Sequence, residues 1–215
     1  MRFRKIEELN LSENALTSFP SSITGMASLQ TIDLSRNLLK SVPPNILPTL
    51  PALKELHLSG NKLQELSYGV FEKLPHLAML DLENNEIERI GMHALKGLPN
   101  LVMVKLSKNK IATVAKSAFE DLPMLQSIEL QENQLQDVAN NAIASCPNLL
   151  MLNLSNNALS GVEKAGLHGL KTLEALDLSH NKISRLSMDS VRDLNFLILL
   201  KVSEEVEYSN LGQEF

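Results

Sequence analysis

One pattern returns every 24 residues along most of this 215-residue chain, and few folds can accept it. The motif Leu-x-x-Leu-x-Leu, with Ile or Val substituting at some places, starts at Leu29, Leu53, Leu77, Leu101, Leu125, Leu149, Leu173 and Leu197. A first unit starts at Ile6 and is 23 residues long. Counted from each start, Asn holds the ninth place eight times running: Asn14, Asn37, Asn61, Asn85, Asn109, Asn133, Asn157 and Asn181. Alternation at places 4 and 6, as in Leu56/Leu58 and Leu152/Leu154, is that of a strand with one buried face. Equal units that each bring one strand stack into a parallel sheet over a continuous core.

The sharp turn after each strand leaves backbone N–H and C=O groups facing the interior. Asn carries both a donor and an acceptor, so at place 9 it satisfies groups of its own turn and of the neighbouring one. The second half of each unit covers the outer side. Place 19 reads Leu47, Phe71, Leu95, Phe119, Ile143, Leu167 and Val191, and place 22 reads Leu50, Leu74, Leu98, Leu122, Cys146, Leu170 and Leu194. Pro follows place 22 at Pro51, Pro75, Pro99, Pro123 and Pro147, which predicts a short helical turn that ends there. With 44% apolar residues, 4% aromatic and no Trp, the core is aliphatic.

These units resemble the leucine-rich-repeat family over residues 6 to about 202. The outer signature F-x-x-L-P-x-L, as in FEKLPHL and FEDLPML, is similar to the typical 24-residue class. That resemblance implies an α/β solenoid: a curved horseshoe with a parallel β-sheet on the concave face and short helical or irregular segments on the convex face. Runs such as LEALDLSHNKISRL are similar to arthropod chaoptin-like adhesion proteins and Toll-type ectodomains. The implied function is non-enzymatic protein recognition, by a cell-surface adhesion or receptor ectodomain that binds a protein ligand or a homophilic partner. The first unit, LTSFPSSITGMASL, departs toward the shorter intracellular style, so a cytoplasmic scaffold or regulatory subunit stands as the alternative.

Residues 1–5 form an N-terminal flank, 6–202 the solenoid of about eight repeats plus a ninth strand, and 203–215 an acidic tail. Extracellular members of the family carry cysteine-rich caps, and here the ends carry none, which predicts a piece of a larger ectodomain. Two readings of the tail stand. It is a frayed acidic segment, or it folds back as a cap through Val206, Tyr208, Leu211 and Phe215, the last three spaced for one face of a short helix.

The formal net charge is −5, and the tail holds −4 of it, so the body offers no electrostatic footprint for nucleic acid or an anionic membrane. The N-terminus MRFRKIEELNLSEN lacks the apolar centre of a signal peptide, and the longest apolar run, FLILL, is far too short to insert in a membrane. A lone cysteine excludes a disulfide framework and a multi-cysteine metal site; no motif implies a cofactor or a catalytic residue.

Candidate site residues follow from the strand alternation. Places 3, 5, 7 and 8 point to the concave side. Place 3 turns largely apolar from the fourth unit onward, with Met79, Met103 and Met151. Place 5 alternates in sign through Asp81, Lys105 and Glu129, which predicts cross-strand ion pairs. An apolar stripe rimmed by charge reads as a protein-docking surface, although scattered exposed apolar residues are also ordinary. Asp33, His57 and Asp81, with Ser35 and Ser59, resemble a hydrolytic constellation, but Ser fills place 7 in seven of nine units and an open sheet supplies no oxyanion hole. Asn10 and Asn153 head the two Asn-x-Ser acceptor sequons.

Overall fold

The computed structural model describes residues 5–66 and 68–203, together with the backbone of 207–209. Its strands in chain order are β1 (Glu8–Asn10), β2 (Thr31–Asp33), β3 (Glu55–His57), β4 (Met79–Asp81), β5 (Arg89–Ile90), β6 (Met103–Lys105) and β7 (Thr113–Val114). They continue as β8 (Ser127–Glu129), β9 (Asp137–Val138), β10 (Met151–Asn153), β11 (Ala175–Asp177), β12 (Arg185–Ser187), β13 (Leu199–Lys201) and β14 (Glu207–Ser209). One strand from each unit enters a nine-stranded sheet of order β1-β2-β3-β4-β6-β8-β10-β11-β13, and every pairing in it is parallel. Register is strict: place 4 faces place 4 along the whole sheet, from Leu9↔Ile32 to Leu176↔Leu200. The chain is a leucine-rich-repeat solenoid of the horseshoe type.

Places 1, 4, 6, 11, 19 and 22 build the core. In the third unit Leu53, Leu56, Leu58, Leu63, Phe71 and Leu74 are all at 0% exposure. Each such burial contributes about 1.5–3 kcal/mol before the entropy of ordering is counted. Cys146 takes place 22 in its unit, is buried, and directs Sγ to the Phe119 carbonyl oxygen at 3.5 Å. Burial pushes its thiol up to about 12. The ends are less enclosed: Ile6, Leu9 and Leu11 at one end, and Leu197, Leu200 and Val202 at the other, are only partly buried.

The place-9 asparagines bind the coils together. Asn61 Oδ1 accepts the Leu39 N–H of the preceding coil at 3.0 Å, while Nδ2 donates to the preceding Leu34 carbonyl at 2.9 Å and to its own Leu58 carbonyl at 3.0 Å. Asn109 repeats this with Ile87, Leu82 and Leu106, and Asn157 with Leu135, Leu130 and Leu154. Asn14, in the first described coil, donates to Leu11 and Ser12 of its own turn and has no partner in another coil among the described residues. The Leu39 carbonyl in turn accepts the Lys62 N–H at 2.9 Å, so the place-11 backbone is satisfied on both sides.

On the outer side the helical turn that the sequence predicts before proline forms ahead of Pro51, at Leu47–Thr49, whereas plain turns precede Pro75, Pro99, Pro123 and Pro147. Among the described residues this side holds 3-10 segments at Ser21–Ile23, Leu47–Thr49 and Val162–Ala165, one four-residue helix α1 (Met188–Val191), and otherwise turns. A second parallel sheet, β5-β7-β9, runs along this flank, and β12 pairs with β14. Backbone bonds stitch successive turns together, as from His93 N–H to the Ser117 carbonyl at 3.2 Å and from Ser117 N–H to the Asn141 carbonyl at 3.4 Å. Turns that hydrogen-bond to their neighbours have less need of helical bonds within themselves. Tyr208 lies in β14, opposite Leu186 of β12, so it is extended rather than helical; Val206, Leu211 and Phe215 lie outside the described residues. Among the described residues no helix is long and apolar enough to cross a membrane.

Two measurements check this description. In urea denaturation Asn109→Ala should lose about 1–3 kcal/mol, the cost of unsatisfied buried polar groups, and Asn14→Ala distinctly less. Equal losses would contradict the coupling between coils. The native chain should resist alkylation of Cys146 at neutral pH and react only once unfolded; rapid labelling of the folded protein would contradict the burial.

Candidate functional site

Strand alternation and strict register set the outward side chains in rows across the concave face. The place-5 row runs Asn10, Asp33, His57, Asp81, Lys105, Glu129, Asn153, Asp177 and Lys201, each beside the next. Wherever this residue is Asn or Asp, its side chain accepts the N–H of place 7 in its own turn. The distances are 2.9 Å for Asn10–Ser12, 2.8 Å for Asp33–Ser35, 3.0 Å for Asp81–Glu83, and 3.0 Å for both Asn153–Ser155 and Asp177–Ser179. The bond closes an Asx turn and helps bend the chain out of the strand. Next to it, place 8 is left-handed in all eight units from Glu13 to His180, with φ between 53° and 67°, although only Gly60 is glycine there. That turn brings place-8 side chains beside place 7, where Lys108 Nζ meets Glu83 Oε1 at 2.9 Å.

The Asp81–Lys105–Glu129 alternation does not become the predicted chain of ion pairs. The three are neighbours in register, but among the described residues neither Lys105 nor Glu129 has an ion-pair partner within 4.0 Å. Asp81 is turned to its own turn, and the Lys and Arg pairs on this face are instead Arg36–Glu13, Lys108–Glu83 and Lys201–Asp177, with His57 beside Glu55. The hydrogen bond and charge of Glu83 raise the Lys108 ammonium above its ordinary value.

The place-3 stripe is less continuous than its sequence suggests. Met79 and Met103 are half-buried, Ser127 interrupts the row at 7% exposure, and Met151 beyond it stands 56% exposed. Ser107 Oγ and Gln131 Oε1 are buried on adjacent place-7 positions with no hydrogen-bond partner among the described residues, a feature that no periodicity announces.

The hydrolase-like grouping falls apart in three dimensions. Asp33 and Asp81 are committed to their own turns, and His57 Nε2 lies 3.5 Å from Glu55. No group of three or more His, Cys, Asp or Glu that could hold a metal occurs among the described residues. The two sequons share one structural role. Asn10 Oδ1 also accepts the Ser12 hydroxyl at 2.7 Å, and Asn153 Oδ1 the Ser155 hydroxyl at 2.8 Å. Asn10 is exposed at the edge of the sheet, whereas Asn153 is half-buried between Glu129 and Asp177. On the outer flank, where the convex stitching stops, a cleft of about 480 Å3 lies among Asn141, Glu163, His168, Arg192 and Asp193. Its His168–Asp193 contact of 3.3 Å leaves a mixed-charge lining that converges on no single ligand chemistry.

Burial would raise the carboxyl of Asp177, but the hydroxyl and N–H of Ser179 and the Lys201 ammonium outweigh it and hold the group below its ordinary value. A carboxyl lowered by folding stabilises the native state above its unfolded value of about 4. That contribution disappears as pH falls through the folded value. Asp177→Asn keeps the turn acceptor and removes the charge. The stability gap between wild type and this variant should therefore be widest near neutral pH and close on acidification; a gap that widens toward acid would contradict the assignment.

The family model "Leucine rich repeat" matches seven overlapping windows that run from residue 1 to residue 204. Osteomodulin of Bos taurus is 37% identical over 70 residues, which is 33% of this chain and 16% of osteomodulin. Among solved structures, TLR13 in its complex with ssRNA13 superposes with a TM-score of 0.86 at 30% identity, covering 93% of this chain and 29% of that one. The plant peptide hormone receptor RGFR1, in complex with RGF2, gives 0.74 at 29% identity, covering 94% of this chain and 32% of that one. The chain thus spans less than a third of the receptor chains it matches. Strand register, asparagine ladder and family model agree: the chain belongs to the leucine-rich-repeat family.

Proposed function

We propose that this chain is a non-enzymatic protein-recognition module whose concave sheet face, centred on Met79, Met103, Lys105, Glu129 and Met151, receives a protein partner. One observation carries this reading: the side chains of this central patch do no visible work for the fold. The core is closed by places 4 and 6, the ladder by place 9 and the turns by Asn or Asp at place 5, whereas the side chains of Lys105 and Glu129 have no ion-pair partner among the described residues. Asp81 borders the patch but doubles as a turn cap. Side chains under no structural demand, set on a rigid sheet, are free to serve a partner. Met adapts to irregular surfaces, which suits the half-buried Met79 and Met103.

The solved neighbours support a receptor-type role, since RGFR1 is described as a peptide hormone receptor. TLR13 was solved with RNA, yet the present face is rich in carboxylates, which repel phosphate, so the partner is assigned as protein rather than nucleic acid. The place of work is the cell surface or extracellular space, as part of a larger adhesion or receptor protein. Glycans at Asn10 or Asn153 of the natural protein are then expected in peptide mapping; unmodified asparagines at both would favour the cytoplasmic scaffold reading.

Surface display against a library of extracellular domains supplies a partner for the test. Met79→Asp with Met103→Asp, and separately the exposed Met151→Asp, should weaken binding about tenfold or more while thermal melting of the Met151 variant stays unchanged. Unchanged affinity in both variants would defeat the concave-face assignment.

A further inference from the structure

We propose that the concave face is electrostatically selective and takes a cationic polypeptide segment whose Lys or Arg residues alternate with apolar ones; this deepens, and rests on, the recognition reading above. Through Ser203, places 3, 5, 7 and 8 hold nine carboxylates against four cations, a net −5. Among the described residues the rest of the chain before residue 204 holds fourteen cations against twelve carboxylates, a net +2. The small total charge of the body thus hides a concave face that carries the negative excess.

The ion pairs sharpen this sorting. Arg36–Glu13, Lys108–Glu83 and Lys201–Asp177 neutralise three of each sign. Left over are Glu8, Asp33, Glu55 (beside the imidazole of His57), Asp81, Glu129 and Glu132, with Lys105 as the one Lys or Arg of these places that has no ion-pair partner among the described residues. Like charges on strands about 4.8 Å apart repel. A concave surface of one sign concentrates its field over the groove and draws in the opposite charge. The excess carboxylates run from β1 to β8, five strand spacings, or about 24 Å. That span exceeds a small cation and matches about seven residues of extended polypeptide. Lys and Arg lay apolar stems along a surface while their heads reach charge, and the row of Met79, Met103 and Met151 offers such a surface beside the carboxylates.

The test uses the full chain and fluorescence anisotropy with synthetic probes. These are a peptide of about nine residues alternating Lys and Leu, its Glu–Leu counterpart, spermine and a short oligothymidylate, in about 50 mM salt. The Lys–Leu peptide should bind and should lose about tenfold in affinity when salt rises to about 300 mM; the Glu–Leu peptide and oligothymidylate should not bind. Glu129→Lys with Glu132→Lys, neither of which caps a turn, should cost about tenfold or more with melting unchanged. Glu88→Lys with Asp137→Lys makes the same change in net charge on the outer flank and should leave affinity within about twofold.

Equal losses in the two double variants would reduce the effect to overall charge and overturn the proposal. So would binding of the oligothymidylate, binding of spermine as tight as the peptide, or absence of peptide binding at low salt. A chain that ignores the Lys–Leu peptide yet still loses a library partner through Met151→Asp would sink the charge selection alone. One whose library partner is indifferent to both methionine variants would sink the recognition reading.

Discussion

The side-chain amide of the ladder asparagine is the interaction on which the rest of this molecule depends. Asn61 accepts an N–H from 22 residues earlier and donates to carbonyls 27 and 3 residues earlier, and the same offsets recur at every later rung; Asn37, which follows the 23-residue first unit, makes the same bonds at offsets of 21, 26 and 3. Repeated offsets go with repeated unit length: the steps from Leu29 onward are all 24 residues, and where the first unit is one residue shorter the ladder offsets shorten by one with it. Equal length in turn holds place 4 opposite place 4, so the core leucines meet in layers and the outward residues fall into rows. A coil cannot close its own turn as fully alone: among the described residues Asn14 of the first coil bonds within its own turn, without the two inter-coil bonds of later rungs. Stability of this kind belongs to neighbours rather than to single units.

A division of labour follows. Core places are spent on burial, place 9 on the ladder, and place 5 on closing the turn wherever it is Asn or Asp. His57, Lys105, Glu129 and Lys201 stand at place 5 without that duty, and two of them, Lys105 and Glu129, lie at the centre of the sheet with no ionic partner among the described residues. Function in a repeat protein is most readable where the repeat's own chemistry is suspended. Asn153 sits in the same row and looks like a modification site in sequence, yet it serves its turn as Asp177 does.

Much of this was legible in the sequence because it is said many times over. Eight asparagines, the layered leucines and the place of Cys146 in the core could be read from the period alone. What escaped was written once or in two letters. The outer strands β5, β7 and β9 are two residues each, too short for alternation to show, and they exist because equal units bring them side by side. The left-handed turn at place 8 carried no glycine signal, since Arg36 and His180 adopt it between an Asx turn and the ladder, and Lys108 adopts it with the ladder alone. The expected Asp81–Lys105–Glu129 pairs failed because Asp81 is held by the Glu83 N–H while Glu83 takes Lys108. Residue order gives proximity in a row, but competing hydrogen bonds decide which neighbours touch.

The central claim is that backbone groups between coils are closed by asparagine side chains and so rise and fall with the core. Native-state hydrogen exchange at single-residue resolution tests it most directly. The N–H groups of Leu39, Leu63, Ile87, Ile111 and Leu135, each bonded to an asparagine of the next coil, should exchange as slowly as those of the adjoining core strands and in one cooperative group. Exchange of these amides at the rate of exposed turns, while the strands stay protected, would contradict it.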